Sequence, residues 1–244
     1  MSSTLELAGN LMDIASYPQW VADVVGRTSE LKRDVLDHPI FALMQEGRIS
    51  HEQIRAFLIN GWPVVEQFPQ YMAMSLTKLS FGRSQGQDMA RRFLTRNLRV
   101  EQNHAGYWVD WATGHGLTKA DLLADHQTPE ALALSHWCWR STHGDNLAVG
   151  MAATNYAIEG VTGEWASFVC ESDVYAMGFE ESTRKASMRW LTMHAKYDDT
   201  HPWEALQIVT ALLGSNPSTH DVKSIERAVG MSYRFFKLSL DECF

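Results

Sequence analysis

The residues best placed to do chemistry lie between Met193 and Pro202, where His194, Asp198 and His201 follow one another at spacings of i, i+4 and i+7. On one continuous helix Asp198 and His201 would sit within roughly 40° and 20° of His194, so two imidazoles and a carboxylate would leave a single face as a ladder. Trp190, Leu191 and Met193 make the preceding turn apolar, which directs that face inward. An ionised aspartate there is costly unless a cation or strong hydrogen bonds compensate it, and a divalent metal would do so. Glu101 and His104 form a Glu-x-x-His pair one turn apart on another predicted helix, the unit with which helical bundles hold di-iron and di-manganese centres. Such a pair also arises by chance on solvated helices, but Trp108 extends the same face with a bulky aromatic ring. Glu159 is the one acidic residue between Asn146 and Gly163 in a small, apolar run. Ala152, Tyr156 and Gly163 share its predicted face and leave room for another helix or a ligand.

Three predicted helices thus offer Glu101, His104, Glu159, His194, Asp198 and His201. Three imidazoles with three carboxylates suit two iron ions; zinc prefers fewer ligands, and calcium does not choose histidine. Two Fe(II) ions would bring +4 against -3 from the carboxylates, leaving +1, so an anionic substrate would neutralise the set. Compared with a bundle site built from two Glu-x-x-His units and two further glutamates, one unit is replaced by the His-x3-Asp-x2-His ladder and one carboxylate is missing. A more labile second metal is the expected cost.

Helices must position these groups. Ser50 and Gln53 read as a capping box opening a helix through Phe57, Trp62, Val65, Phe68 and Met72, which Pro63 and Pro69 are expected to bend or break. Gln87 to Thr113, Pro129 to Ser141, Asn146 to Cys170, Glu181 to Gly214 and Ser218 to Cys243 carry the 3.6-residue rhythm of amphipathic helices, with Pro202 kinking or ending the fourth. Strand signals are scarce, with no Asn-Gly or Asp-Gly hairpin turn. The expectation is an all-α bundle of about seven helices forming one domain over residues 1–244.

The 244 residues are 45% hydrophobic, enough for a substantial core. Acidic residues outnumber basic ones by 29 to 21, and no basic patch is visible, which argues against a nucleic-acid partner. The three scattered cysteines suit a reducing cytoplasm, and no stretch reads as a leader or membrane span.

The combination of Glu101-x2-His104, an isolated Glu159 and His194-x3-Asp198-x2-His201 resembles the haem-oxygenase-like di-iron oxidases. The stretches Gly61–Phe68, Ser135–Trp139, Met151–Gly160 and Asp198–Ala205 are similar to the UndA-type bacterial fatty-acid decarboxylases within that group, and the likeness runs from about Tyr17 to the C-terminus. What the resemblance implies is a haem-oxygenase-like, TenA-like helical bundle. It also implies a non-haem iron enzyme using Fe(II), O2 and an external electron donor. Its substrate would be a medium-chain saturated fatty acid such as dodecanoic acid, and its products the terminal alkene one carbon shorter, such as 1-undecene, and CO2. By the same resemblance Glu101, His104 and His194 would hold the first iron and carry catalysis, and Glu159, Asp198 and His201 would hold the second, the bridging carboxylate being left open.

Four other readings compete, the first being another haem-oxygenase-like di-iron oxygenase. A metal-free TenA-type thiaminase needs an activated cysteine, but Cys138 lies between Trp137 and Trp139, Cys170 lies at a predicted helix end, and neither has an evident base or positive field. A haem protein would need one axial histidine and would leave the carboxylates unexplained. In a scaffold or iron-storage protein the same histidines and acids would be a hydrogen-bonded ladder.

Overall fold

The computed structural model describes residues 16–124, 127–197 and 200–244, and among them there is no strand. Fourteen α-helical segments follow in order: α1 (Gln19–Leu36), α2 (Pro39–Gln45), α3 (His51–Leu76), α4 (Gln85–Glu101), α5 (His104–Gly114), α6 (Lys119–Leu123), α7 (Pro129–Trp139), α8 (Leu147–Met151), α9 (Glu159–Cys170), α10 (Val174–Met177), α11 (Glu181–Ser187), α12 (Arg189–Tyr197), α13 (His201–Leu213) and α14 (Thr219–Asp241). A π-helical turn, Arg140–Gly144, follows α7, and a π-helical segment, Ala152–Ile158, joins α8 to α9 as one rod. With the joined and end-to-end pieces merged there are about twelve helices rather than seven. The all-α expectation holds. The excess comes from short helices and from breaks inside segments that read as continuous.

Two of these breaks matter for function. The expected helix from Gln87 to Thr113 divides after Glu101, because the Asn103 amide folds back to donate to the carbonyls of Arg99 (3.2 Å) and Val100 (3.3 Å) and so caps the end of α4. The expected segment from Glu181 to Gly214 becomes α11, α12 and α13, with Pro202 in the first turn of α13, where a missing N–H costs no hydrogen bond. His194 and His201 therefore stand on different helices, and the expected single-helix ladder does not form. Asp198, its middle member, lies outside the described residues.

The prolines of α3 behave differently from expectation. Its capping box is in place, with Gln53 N donating to Ser50 Oγ and Ser50 N to Gln53 Oε1, both at 3.1 Å. The helix then runs through Pro63 and Pro69 without ending. Pro63 leaves the Ile59 carbonyl without its helical donor, and the Gln127 amide fills that place at 3.4 Å. Burial of Trp62, Phe68, Tyr71 and Met72 on both sides of the prolines keeps the rod continuous.

The long helices enclose one contiguous apolar cluster. α12 lies along α9, α14 against α1 and α7, and α13 against α4 and the π-helical segment. No helix among the described residues is long and apolar enough to cross a membrane. The α4–α13 contact is close because Gly86 has no side chain: a Cβ there would lie 2.8 Å from Ala211 C and Leu212 N. Backbone cannot yield as a side-chain tip can, so Gly86→Ala is expected to lower stability by about 1–3 kcal/mol. Denaturant unfolding checks this, and a midpoint equal to that of the unsubstituted protein would show that the two helices are not locked together.

Candidate metal centre

Four of the six predicted ligands meet at one internal chamber. Glu101 is the last residue of α4 and His104 the first of α5, so the break at 102–103 places them side by side, with Glu101 Oε2 2.7 Å from His104 Nδ1. Glu159 is the first residue after the π-helical segment, and the Asn155 amide donates to its Oε2 at 3.1 Å. A π turn widens the helix and re-aims the residue that follows it, and such turns recur at functional sites. His194 comes from α12, its ring centroid 4.5 Å from that of His104. All four side chains are buried and line a chamber of about 50 Å³ with Val64, Val65, Phe68, Ile158, Thr162 and Trp190. His201, at the start of α13, is equally buried and does not line this chamber; its ring is edge-on to that of Phe93 at 6.2 Å. Its field still reaches Glu101 and His104.

The carbonyl of Trp190, 2.8 Å from His194 Nδ1, can only accept, so Nδ1 carries the proton and Nε2 keeps its lone pair. That is the tautomer a metal ligand requires, held by the backbone of the preceding turn. The indole of Trp190 lies nearly parallel to the His194 ring, 3.7 Å between centroids, and fixes its plane. Burial pushes His194 down to about 3, helped by His104 and opposed by Glu101, and pushes His201 down to about 4. Burial alone would raise the Glu101 carboxyl, but the fields of His104, His194 and His201 and the hydrogen bond from His104 outweigh it and hold the group below the usual carboxylate range. The chamber therefore presents an ionised carboxylate and, in His194, an imidazole whose lone pair is free for a divalent cation.

The donor set fits iron by chemistry. Nitrogen and carboxylate oxygen donors are mixed, His194 is in the ligand tautomer, and the buried His104 Nε2 has no hydrogen-bond partner among the described residues. Glu101 and His104 turn toward each other, and among the described residues no three such side chains converge closely enough to hold an ion. Loading would require small rotations of these side chains.

Several contributors escaped the sequence reading. Asn155, which holds Glu159, has its only sequence signal in the polar Thr154-Asn155 pair within an otherwise apolar run. Arg96 of α4 donates to Glu204 of α13 at 2.5 Å and ties the Glu101 helix to the His201 helix. Val64 and Val65 form walls because α3 does not break at Pro63. Of the aromatic residues near the ligands by spacing, Trp190 and Trp108 line internal chambers, while Tyr156 lines a separate groove with Gly160 and Trp203.

The chain matches the family described as iron-containing redox enzymes over residues 55–233. It is 29% identical over 126 residues to a Chlamydia muridarum protein named 4-aminobenzoate synthase, spanning half of each chain. It is 26% identical over 186 residues to a Chlamydia trachomatis serovar D protein of the same name, covering 74% of this chain and 76% of that one. Among solved structures, a TenA homologue from Pseudomonas syringae pv. tomato is 51% identical, with a TM-score of 0.94 over 99% of both chains. The haem-oxygenase-like, TenA-like helical architecture expected from the sequence is thereby the fold of this chain.

In the unfolded chain both imidazoles take up a proton near pH 6.5, whereas in the folded protein His194 resists protonation down to about 3 and His201 down to about 4. The unfolded state binds more protons across that window, so stability is full above about pH 6.5 and falls as the pH drops toward 4. Replacing His194 by Gln is expected to remove about one proton from the uptake linked to unfolding. Denaturant titrations in chelator at a series of pH values check this; an unchanged pH slope would contradict the buried, neutral assignment.

Proposed function

The chain belongs to the family of iron-containing redox enzymes, and from that premise we propose that it is a non-haem di-iron oxidase acting on medium-chain saturated fatty acids. With O2 and an external reductant it converts an acid such as dodecanoic acid to the terminal alkene one carbon shorter, here 1-undecene, and CO2. Four electrons take O2 to two waters, two from the fatty acid and two from the reductant. The observation that carries the reading is the shape of the interior. The chamber holding Glu101, His104, Glu159 and His194 shares Val64, Val65, Ile158, Thr162 and Trp190 with a second chamber of about 60 Å³. That second chamber is walled by Phe57, Trp108, Leu134, Trp165, Phe236 and Leu240, with Asn60 and Ser239 among its few polar groups. A mostly apolar space beside a cluster of metal donors suits an alkyl chain ending in a carboxylate.

Glu101, His104 and His194 would hold the first iron, and Glu159, Asp198 and His201 the second. Bound iron would supply one-electron redox chemistry with O2. The protein's own groups do the rest. The Trp190 carbonyl keeps His194 in the neutral tautomer, Asn155 aims Glu159, and the valine and isoleucine walls exclude water and fix the acid's first carbons. A metal pair left at +1 by its carboxylates favours a bound anion.

The 51% identity to a TenA homologue keeps a second reading in play, a metal-free reaction at a cysteine nucleophile. The thiols speak against it. No cysteine lines either chamber, Cys138 is wholly buried, and burial raises the Cys138 and Cys170 thiols rather than activating them.

Iron titration of the reduced protein, followed by headspace gas chromatography after adding dodecanoate, reductant and O2, is expected to give 1-undecene. His194→Ala should abolish the product while keeping the helical circular dichroism spectrum, and alkene at the unsubstituted yield would falsify the assignment. A second expectation concerns length. Leu134→Trp fills the second chamber and should raise the yield from decanoate relative to dodecanoate in competition assays; an unaltered ratio would mean that the alkyl chain lies elsewhere.

A further inference from the structure

Three indoles surround Trp190, the residue stacked on His194. Trp108 meets it edge-on at 4.7 Å and spends its own N–H on the Leu58 carbonyl. Trp165 lies parallel at 5.5 Å and leads to Phe41, stacked at 4.8 Å, whose ring has no accessible one-electron oxidation. Trp111 lies parallel at 5.6 Å, and its path does not end there. Its Nε1–H donates at 2.9 Å to the hydroxyl of Tyr175, which is 2.7 Å from Nε2 of the half-buried His115. With its oxygen accepting from Trp111, the phenol has its one proton to give to His115. Aromatic packing is the ordinary content of a core. What sets this path apart is its order: an imidazole facing the metal donors, two face-stacked indoles, then a phenol with a proton acceptor near the surface.

We propose that Trp190, Trp111, Tyr175 and His115 form a one-electron relay that carries reducing equivalents from the protein surface to the donor cluster; this rests on the iron-oxidase reading above. With iron and O2 at the donor cluster, Trp190 would give up an electron and be refilled from Trp111, and Trp111 from Tyr175. Trp190 Nε1 has no hydrogen-bond partner among the described residues and Trp111 Nε1 faces only a hydroxyl, so neither indole has a base to take its proton. The proton leaves at Tyr175, crossing to His115 Nε2 as the phenol is oxidised to a neutral phenoxyl radical. Burial holds His115 down to about 4, so its imidazole is neutral and free to accept at pH 7. An external one-electron donor, together with the proton returned from His115, then restores the phenol. Tyr175 and His115 are positioning and relay residues; neither touches the chamber.

The test does not require iron. In a Cys170→Ser background, a ruthenium polypyridyl photo-oxidant is attached to a cysteine introduced at exposed Thr113, beside His115. After flash-quench oxidation, transient absorption in the full-length chain is expected to show an indole radical cation that decays as a phenoxyl radical grows in. Trp111→Phe should lose the radical cation that precedes the phenoxyl, Tyr175→Phe should lose the phenoxyl and leave a longer-lived radical cation, and His115→Gln should depress the phenoxyl signal and abolish its solvent deuterium effect. Tyr107→Phe, on the same helix but off the path, should change nothing. A phenoxyl signal that survives Tyr175→Phe, or one that needs Tyr107, overturns the relay. The iron-loaded protein supplies the second arm: with O2 and no reductant, freeze-quench electron paramagnetic resonance should show a tyrosyl signal absent from Tyr175→Phe. Failure to bind iron, with the photochemical pattern intact, would count against the oxidase reading and leave the relay standing.

Discussion

Everything at the centre of this molecule follows from one constraint: a carboxylate, Glu101, is buried among imidazoles where water cannot solvate it. Burial alone would protonate that group, and the neighbouring histidines, His104 and its hydrogen bond foremost, are what keep it charged. Each histidine must then be brought to it from a different direction, which a single helix cannot do. The chain accordingly stops α4 at Glu101, starts α5 at His104, and puts His194 and His201 on separate helices. The breaks are not defects in otherwise regular rods. They are the means by which residues close in sequence converge instead of lining up.

The walls serve the same end. Val64, Val65, Phe68 and Ile158 make the chamber dry, and in a dry space every charge interaction is stronger than it would be in water. Close helix approach is needed to keep it so. A Cβ at Gly61 would come within 2.8 Å of Trp108 Cζ2, and one at Gly160 would press on Pro202 at 3.2 Å. The Arg96–Glu204 pair closes the assembly by fastening α4 to α13. Arg96 also lowers the proton affinity of His201, so a contact that ties two helices together helps hold an imidazole in its neutral form.

The helical class was legible because amphipathic rhythm and the scarcity of strand signals are properties of the sequence alone. So was the convergence of Glu101, His104, Glu159 and His194, because carboxylates and imidazoles inside apolar stretches demand compensation wherever they fold. Other features depend on tertiary structure. Nothing local says that Gln127, far along the chain, will satisfy the Ile59 carbonyl exposed by Pro63, so the proline signal reads as a break that packing overrides. The division of the helix at Asn103 depends on a side chain folding back, which competes with helix continuation by a small margin. The π-helical segment has no composition signature in Ala152–Ile158 beyond a polar pair, and its value lies in where it points Glu159. A ladder expected on one helix thus became two histidines on two helices, with His194 lining the chamber and His201 outside its lining.

Trp190 joins these threads in one residue. Its carbonyl sets the tautomer of His194, its ring sets the plane of that imidazole, its edge walls both chambers, and its faces meet Trp111 and Trp165. The backbone role survives any substitution that keeps α12 helical, whereas the ring roles do not. A smaller side chain would therefore leave His194 correctly protonated but free to rotate, and would merge the polar and apolar chambers at their shared wall. Ligand chemistry and ligand geometry are in this way held by different atoms of the same residue. This argues that the tryptophan stands here for the rigidity and polarisability of an indole rather than for buried area, which leucine or phenylalanine could also supply.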